Sequence, residues 1–226
     1  MMASSGESYA QLLSLAVHEF RTPASVVGGY LRMLQGAQDS PLSPRQRRMI
    51  DEAERSCQRL VALIGELSEI QKLDAELVQL AQQEFDAFAA MAEAAHGVHE
   101  AEDRNVRLVV RGAPAGAPIQ GDVTRLRQAL AAIFHASMRE MPAGTTLVAE
   151  RRLVKRDGQE SAVLIVADEP SVQSSYEAEP APFDEKRGGL GLALPIARRI
   201  IERHHGRLWS PAGSRAIAII SLPVRS

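Results

Sequence analysis

Cysteine is almost missing from this chain: its 226 residues include one, Cys57. A lone cysteine excludes an internal disulfide and fits a reducing compartment. Long apolar runs are missing as well, and none approaches the roughly 20 residues needed to span a bilayer. The N-terminal MMASSGESYAQ has no basic start leading into an apolar core, so it does not read as a secretory signal. Nor is there an excess of one charge: 26 Lys and Arg against 28 Asp and Glu leave a net −2, with no general pull toward nucleic acid or an anionic membrane. What remains is 45% apolar and 24% charged residues, ordinary for a globular protein that builds real cores. The expectation is a cytoplasmic polypeptide of one large or two small domains, with no membrane segment in this chain.

Two helices are expected first. Leu13, Val17, Phe20, Ala24, Val27, Leu31 and Leu34 recur at spacings of four and three, the heptad rhythm of a helix in a bundle. GAQDSPLSP breaks the pattern at Pro41 and Pro44. Ile50, Ala53, Cys57, Leu60, Ile64 and Leu67 then resume it. Two helices on a short turn form an antiparallel hairpin, which has too little surface to bury its own stripe. A dimeric four-helix bundle completes it; packing of the stripe on the rest of the same chain is the alternative.

From about residue 84 the texture changes. A helix is expected over roughly 86–103, then a strand at NVRLVVRG, a turn-rich APAGAPIQGD, and a strong helix through TRLRQALAAIFHASMRE. TTLVAERRLV and SAVLIVAD read as strands joined by a KRDG hairpin turn. EPSVQSSYEAEPAPFDEKRGG reads as a long functional or mobile loop. The helix LALPIARRIIERHHG and the strand RAIAIISLPV close the chain. The mixture suggests an α+β sandwich with helices on one face of a mixed sheet. Domains are placed at 1–80 and 84–226.

The most telling stretch is LAVHEFRTPASVV. His18 falls beside the apolar seam, which leaves an imidazole nitrogen facing solvent, nucleophilic at neutral pH and able to form a covalent intermediate. Glu19 can orient the ring or accept its proton. Arg21 supplies a cation for an incoming phosphoryl group. Thr22, one turn along on the same face, can hold a water for dephosphorylation. Pro23 removes the donor that the Glu19 carbonyl would have used, so a bend is expected there. On the residues alone, a histidine beside a glutamate is also what an ordinary solvated helix face carries.

HEFRTP resembles the phosphoacceptor box of bacterial two-component sensor histidine kinases, and the hairpin around it resembles their dimerisation and phosphotransfer domain. The rest resembles their ATP-binding domain, a Bergerat-type sandwich of the kinase/gyrase kind. GDVTRLRQAL is similar to the start of the asparagine box, VLIVADEP to the strand of the adenine-recognising aspartate, and PFDEKRGGLGLALPIARRIIERHHGRLW to the phenylalanine box, glycine-rich lid and following helix. The resemblance runs from about residue 8 to 222. It implies ATP-dependent phosphorylation of His18 and transfer to an aspartate of a response-regulator receiver domain, in a homodimer. It also implies Asp168, Gly188, Gly189 and Gly191 as nucleotide-binding positions.

Parts of that pattern are altered. The asparagine that would ligate Mg²⁺ falls on Ala136, and the earlier one of the same box on Ala132. Alanine carries no side-chain oxygen, and Mg²⁺ demands oxygen ligands. Glu140 and His135 stand nearby as substitutes. Pro170 and Val172 occupy positions where the family carries glycine. Gly188, Gly189 and Gly191 fit either a phosphate cradle or tight packing of helix on sheet. ATP and Mg²⁺ are therefore doubtful cofactors, and no protein metal site is expected. The reading is a histidine kinase core phosphorylated on His18; the alternative is an ATP-incompetent phosphotransferase or pseudokinase relaying phosphate between receiver domains. Cys57 is expected in a core, His204 and His205 as cations at a helix C-terminus before a C′ Gly206, Trp209 at the end of the sheet, and PRQRRM as a solvated face or a regulator dock.

Overall fold

The computed structural model describes residues 3–36, 42–99, 104–156, 158–214 and 216–225. The chain divides between Val78 and Gln79 into two compact units. The first is a helical hairpin of α1 (Ala3–Gly36) and α2 (Pro44–Asp74). Pro41 lies outside the described residues. Pro44 occupies the first turn of α2, where its missing N–H costs nothing. Ser43 caps that helix: its hydroxyl accepts from the Gln46 N–H, and the Gln46 side chain accepts from the Ser43 N–H at 3.0 Å. Neither helix is long and apolar enough to cross a membrane, and the same holds for every other described helix.

The heptad stripe of α1 splits into two rows. Val17 and Ala24 are buried against Ile64, with Leu67 packed beside them. The Cys57 thiol contacts the Ala24 carbonyl at 3.1 Å, inside this seam as expected. Phe20, placed on the buried seam by the periodicity, is 58% exposed, and Val27 and Leu34 are exposed with it. One antiparallel neighbour can cover only one row of a two-row stripe, which is why the second row remains open.

The second unit pairs β1 (Gln83–Asp86) with β3 (Pro118–Gly121) and builds a six-stranded sheet in the order β2-β4-β5-β8-β7-β6. Its strands are β2 (Arg107–Gly112), β4 (Thr146–Arg156), β5 (Gln159–Asp168), β6 (Pro180–Pro182), β7 (Arg207–Pro211) and β8 (Ala218–Pro223). Among the described strands only β2 and β4 run parallel. Three helices, α3 (Ala87–His96), α4 (Val123–Arg139) and α6 (Ala193–Arg203), bury Phe88 and Met91, Leu126, Leu130 and Phe134, and Leu194 and Ile201. The short α5 (Val172–Glu177) covers the opposite face, where Val172 and Tyr176 join Val163, Ile165, Ala167 and Ile219. Since strand side chains alternate, Leu164 and Val166 point the other way, and β5 is buried on both faces.

Helices therefore lie on both sides of the sheet rather than on one. The expected long loop is also largely built: a 3-10 turn over Glu169–Ser171, α5, β6 and a second turn over Arg187–Gly189. Burial of Val172, Ser175 and Phe183 fastens it down. Carboxylates fix the helix starts. Asp86 accepts from the N–H groups of Phe88 and Ala89, and from those of Gly116 and Ala117 on the approach to β3. Burial alone would raise its carboxyl, but those four donors outweigh it and hold it below the usual range.

Helix α6 ends in a Schellman turn, but the left-handed residue is His205 (φ 59), not Gly206. The His205 N–H reaches Glu202, and the Gly206 N–H reaches Ile201, both at 2.9 Å. Gly206 is required for space: a Cβ there would lie 2.7 Å from the Ser221 carbonyl. His204 is not a solvated cation. It is buried, its Nε2 accepts the Asp122 N–H at 2.9 Å, and its Nδ1–H donates to the Ile200 carbonyl at 2.7 Å. A Cβ on Gly121 would fall 2.2 Å from the His204 ring.

Burial lowers the His204 imidazole below its ordinary value, outweighing the Ile200 carbonyl and Asp122, while His205 pushes in the same direction as burial. Its native state thus binds protons less readily than the unfolded chain. Stability is fully present above about pH 6.5 and is lost as pH falls below it, at no more than about 1.4 kcal/mol per pH unit. Urea unfolding of the second unit followed from pH 7.5 to 5 should show this slope, and His204→Gln should flatten it. An unchanged slope in the variant would assign the dependence to other groups.

Candidate functional site

Helix α1 carries all four of His18, Glu19, Arg21 and Thr22 within about one turn, and all are exposed. The His18 side chain is 77% accessible, and its Nδ1 lies 3.4 Å from Glu19 Oε1. A carboxylate can only accept, so this contact favours the tautomer with the proton on Nδ1 and the lone pair on Nε2. That leaves a nucleophilic nitrogen in solvent. The helix continues through Pro23 to Gly36, so the proline does not end it.

The nucleotide-type positions lie in the second unit. Asp168 ends β5 opposite Leu147, on the side of the strand that carries Leu164 and Val166. After it the backbone enters the 3-10 turn containing Pro170, and then α5, whose Val172 is core. Gly188, Gly189 and Gly191 all adopt positive φ (69, 60 and 66°), and the α6 that follows has no side-chain N-cap.

These glycines do not do the same thing. Gly189 has open space around its Cα, whereas a Cβ on Gly188 would lie 2.8 Å from Ala136 Cα and 3.1 Å from its Cβ. Gly188 thus rests on the residue that stands where the metal ligand would be. Both its peptide groups are engaged: its N–H donates to Glu140 Oε1 at 3.0 Å, and its carbonyl accepts from Arg139 Nη1 at 3.1 Å. Glu140, the substitute ligand, is committed to this turn. Ala136 is fully buried.

Arg187 holds the turn from its other side. Its guanidinium stacks 3.8 Å from the Phe183 ring centroid and donates to the carbonyls of Ile217 (2.8 Å) and Asp184 (3.0 Å). Burial lowers it to about 10, against the pull of Asp184 and Glu140, so it stays charged at neutral pH. Arg198 secures the Phe183 carbonyl at 3.0 Å. Arg187 and Arg139 were not legible as functional positions; the sequence EKRGG shows only a charged turn.

Ala136, where the resemblance places a metal ligand, carries no side-chain oxygen and lies against Gly188. A Cβ on Gly189 would meet open space, whereas Gly188 packs on α4.

Residues 8–76 match the family described as the His Kinase A (phospho-acceptor) domain. The sensor-like histidine kinase SenX3 of Mycolicibacterium smegmatis is 28% identical over 217 residues, covering 91% of this chain and 55% of that protein. The sensor protein GacS of Pseudomonas syringae pv. syringae is 26% identical over 214 residues, covering 88% of this chain and 23% of its own length. The chain thus spans between a quarter and about half of these relatives. Among solved structures, full-length ShkA in complex with AMPPNP superposes with a TM-score of 0.66 at 19% identity, over 95% of this chain and 45% of that one. The histidine kinase ThkA in complex with the response regulator TrrA superposes at 0.57 and 18% identity, over 95% and 61%. Residues 8–76 thus match a phospho-acceptor domain that contains His18, and over most of its length the chain is similar to sensor histidine kinases.

Proposed function

We propose that the protein acts in two-component signalling as a protein-histidine phosphotransfer core, in which His18 carries a phosphoryl group and passes it to an aspartate of a response-regulator receiver domain. The observation that supports this most is the exposed His18 imidazole beside Glu19, inside the stretch that matches the phospho-acceptor domain. Arg21, three residues on, would meet the negative charge that arrives, and Thr22 would hold the water that attacks the phosphorylated ring. The solved pairing of ThkA with TrrA is a precedent for a receiver as partner.

A homodimer belongs to the same reading. The second apolar row of α1, Phe20, Val27 and Leu34, with Tyr30 and Met33 next to it, is exposed in the single chain. Such a contiguous apolar face marks an interaction surface, and a second hairpin would close it into a four-helix bundle.

The test is direct. The purified chain is charged with phosphoramidate and then mixed with isolated receiver domains. The expected result is an acid-labile, base-stable phosphoryl group on the peptide containing His18, which disappears as one receiver becomes labelled. The reacting species should sediment at twice the 24.5 kDa chain mass. Label that never leaves the chain would overturn the transfer, and a monomer would remove the bundle.

A further inference from the structure

We infer that the open part of the sheet's outer face, around Trp209, is a binding site for a short apolar peptide with free termini, its carboxylate on Arg207 and its ammonium on Glu179. The site belongs to the second unit alone and does not depend on the phosphotransfer reading.

The sheet register builds the floor. Side chains of one face line up across paired strands, so Ile165, Ile219 and Trp209 form one row, and Val163, Ser221 and Arg207 the next, with Val154 and Ser161 beyond. Helix α5 packs on the first row through Val172 and Tyr176 and ends at Glu177. The chain then drops to Pro180, which opens β6 opposite Pro211. A cavity of about 360 Å³ remains beside α5, floored by Val154, Val163, Tyr176 and Trp209, with Ser161 and Ser221 in its wall. An apolar cavity of this size with a few polar groups is the usual form of a small-ligand site.

The charges around it select the occupant. Arg207 stands at one end of β7, its guanidinium 5.4 Å from the Trp209 ring centroid. Glu177 and Glu179 line the rim toward the other end, beside Pro180 and its partner Pro211. Glu177 already accepts from Gln173 at 2.6 Å. Among the described residues, neither Arg207 nor Glu179 has an ion-pair partner. An anion alone would face Glu179, and a cation alone would lie against Arg207. A ligand that carries both charges, separated by an apolar stretch, suits every group. At about 3.3 Å per residue, Arg207 and Pro211 are roughly 13 Å apart along β7. The adjacent charges of a single amino acid cannot bridge that distance. An extended tripeptide spans about 10 Å, and the long side chains of Arg207 and Glu179 close the remainder.

Trp209 is the only tryptophan in the sequence, so its emission reports on this floor. Titrating the full chain with trileucine should change that emission saturably at millimolar peptide or below. N-acetyl-trileucine and trileucine amide each lack one terminal charge and should bind about fivefold more weakly, the upper end for a half-exposed ion pair. Calorimetry on two variants assigns the ends. Glu179→Gln should erase the preference over the acetylated peptide only, and Arg207→Gln the preference over the amide only. Both side chains are exposed, so neither variant should move the urea midpoint of the second unit. Absence of a saturable change overturns the inference, as does equal binding of the three peptides. Tighter binding of the amide would make the occupant a simple cation and overturn the peptide reading. An emission change that follows protein rather than peptide concentration would assign the face to a second copy of the chain and overturn it as well.

Discussion

His18→Gln should reduce the phosphoryl label on the protein to background, a loss of at least 100-fold, with no measurable change in thermal midpoint. The two halves of this expectation have separate causes. Glutamine keeps a polar side chain on the helix but has no ring nitrogen with a free lone pair, so no P–N bond can form. The side chain is 77% accessible and its polar contact is with the neighbouring Glu19, so the fold loses little. Glu19→Gln should keep transfer but slow it by about 10- to 100-fold, the lower part of the range for a positioned acid or base. Glutamine still occupies the space yet no longer balances a protonated ring. Thr22→Ala should leave charging intact and lengthen the lifetime of the phosphoryl group if the hydroxyl holds the hydrolytic water. These three variants, charged with phosphoramidate and followed by acid-labile label over time, separate carrier, orienting residue and water holder. Label that survives in His18→Gln would place the phosphoryl group elsewhere on the chain.

Much of the hairpin was open to sequence reasoning, because period-3.5 spacing and a Pro-containing break are local signals. What they could not give was the division of the α1 stripe: Val17 and Ala24 are buried by Ile64, while Phe20 and Val27, on the same periodicity, await a second partner. In the second unit the long helices and apolar strands were legible for the same reason. The strand Pro118–Gly121 was hidden in a Pro- and Gly-rich stretch, although an edge position tolerates both. Pro180–Pro182 escaped for the same cause, since its partner β7 lies on one side only. Two surprises in the second unit are long-range. Arg187 reads as a solvated charge until the ring of Phe183 and the carbonyl of Ile217 are brought to it by the fold. His204 reads as a C-terminal helix cation until Asp122 is placed against its ring.

The alanine at 136 was visible, but its meaning required the contact. Gly188→Ala and Gly189→Ala therefore make a decisive pair. Both positions have φ near 60–70°, so each alanine incurs the left-handed backbone penalty of roughly 1–2 kcal/mol. Only at 188 does the new methyl also collide, 2.8 Å from Ala136 Cα, which adds about 1–3 kcal/mol of overpacking or forces the turn away from Arg139 and Glu140. The expected total is about 2–5 kcal/mol for Gly188→Ala against about 1–2 for Gly189→Ala, read as separate shifts in the urea midpoint of the second unit. Limited proteolysis should cut Gly188→Ala faster within residues 184–192, because displacing the turn exposes the Arg187 anchor. Equal losses in the two variants would mean that Gly188 is retained for backbone conformation alone, and that the turn does not seal the metal position. A larger loss at 188 alone, with His18 still charged by phosphoramidate, would separate the shut turn from the chemistry on the hairpin and make it a structural seal rather than a damaged active-site lid.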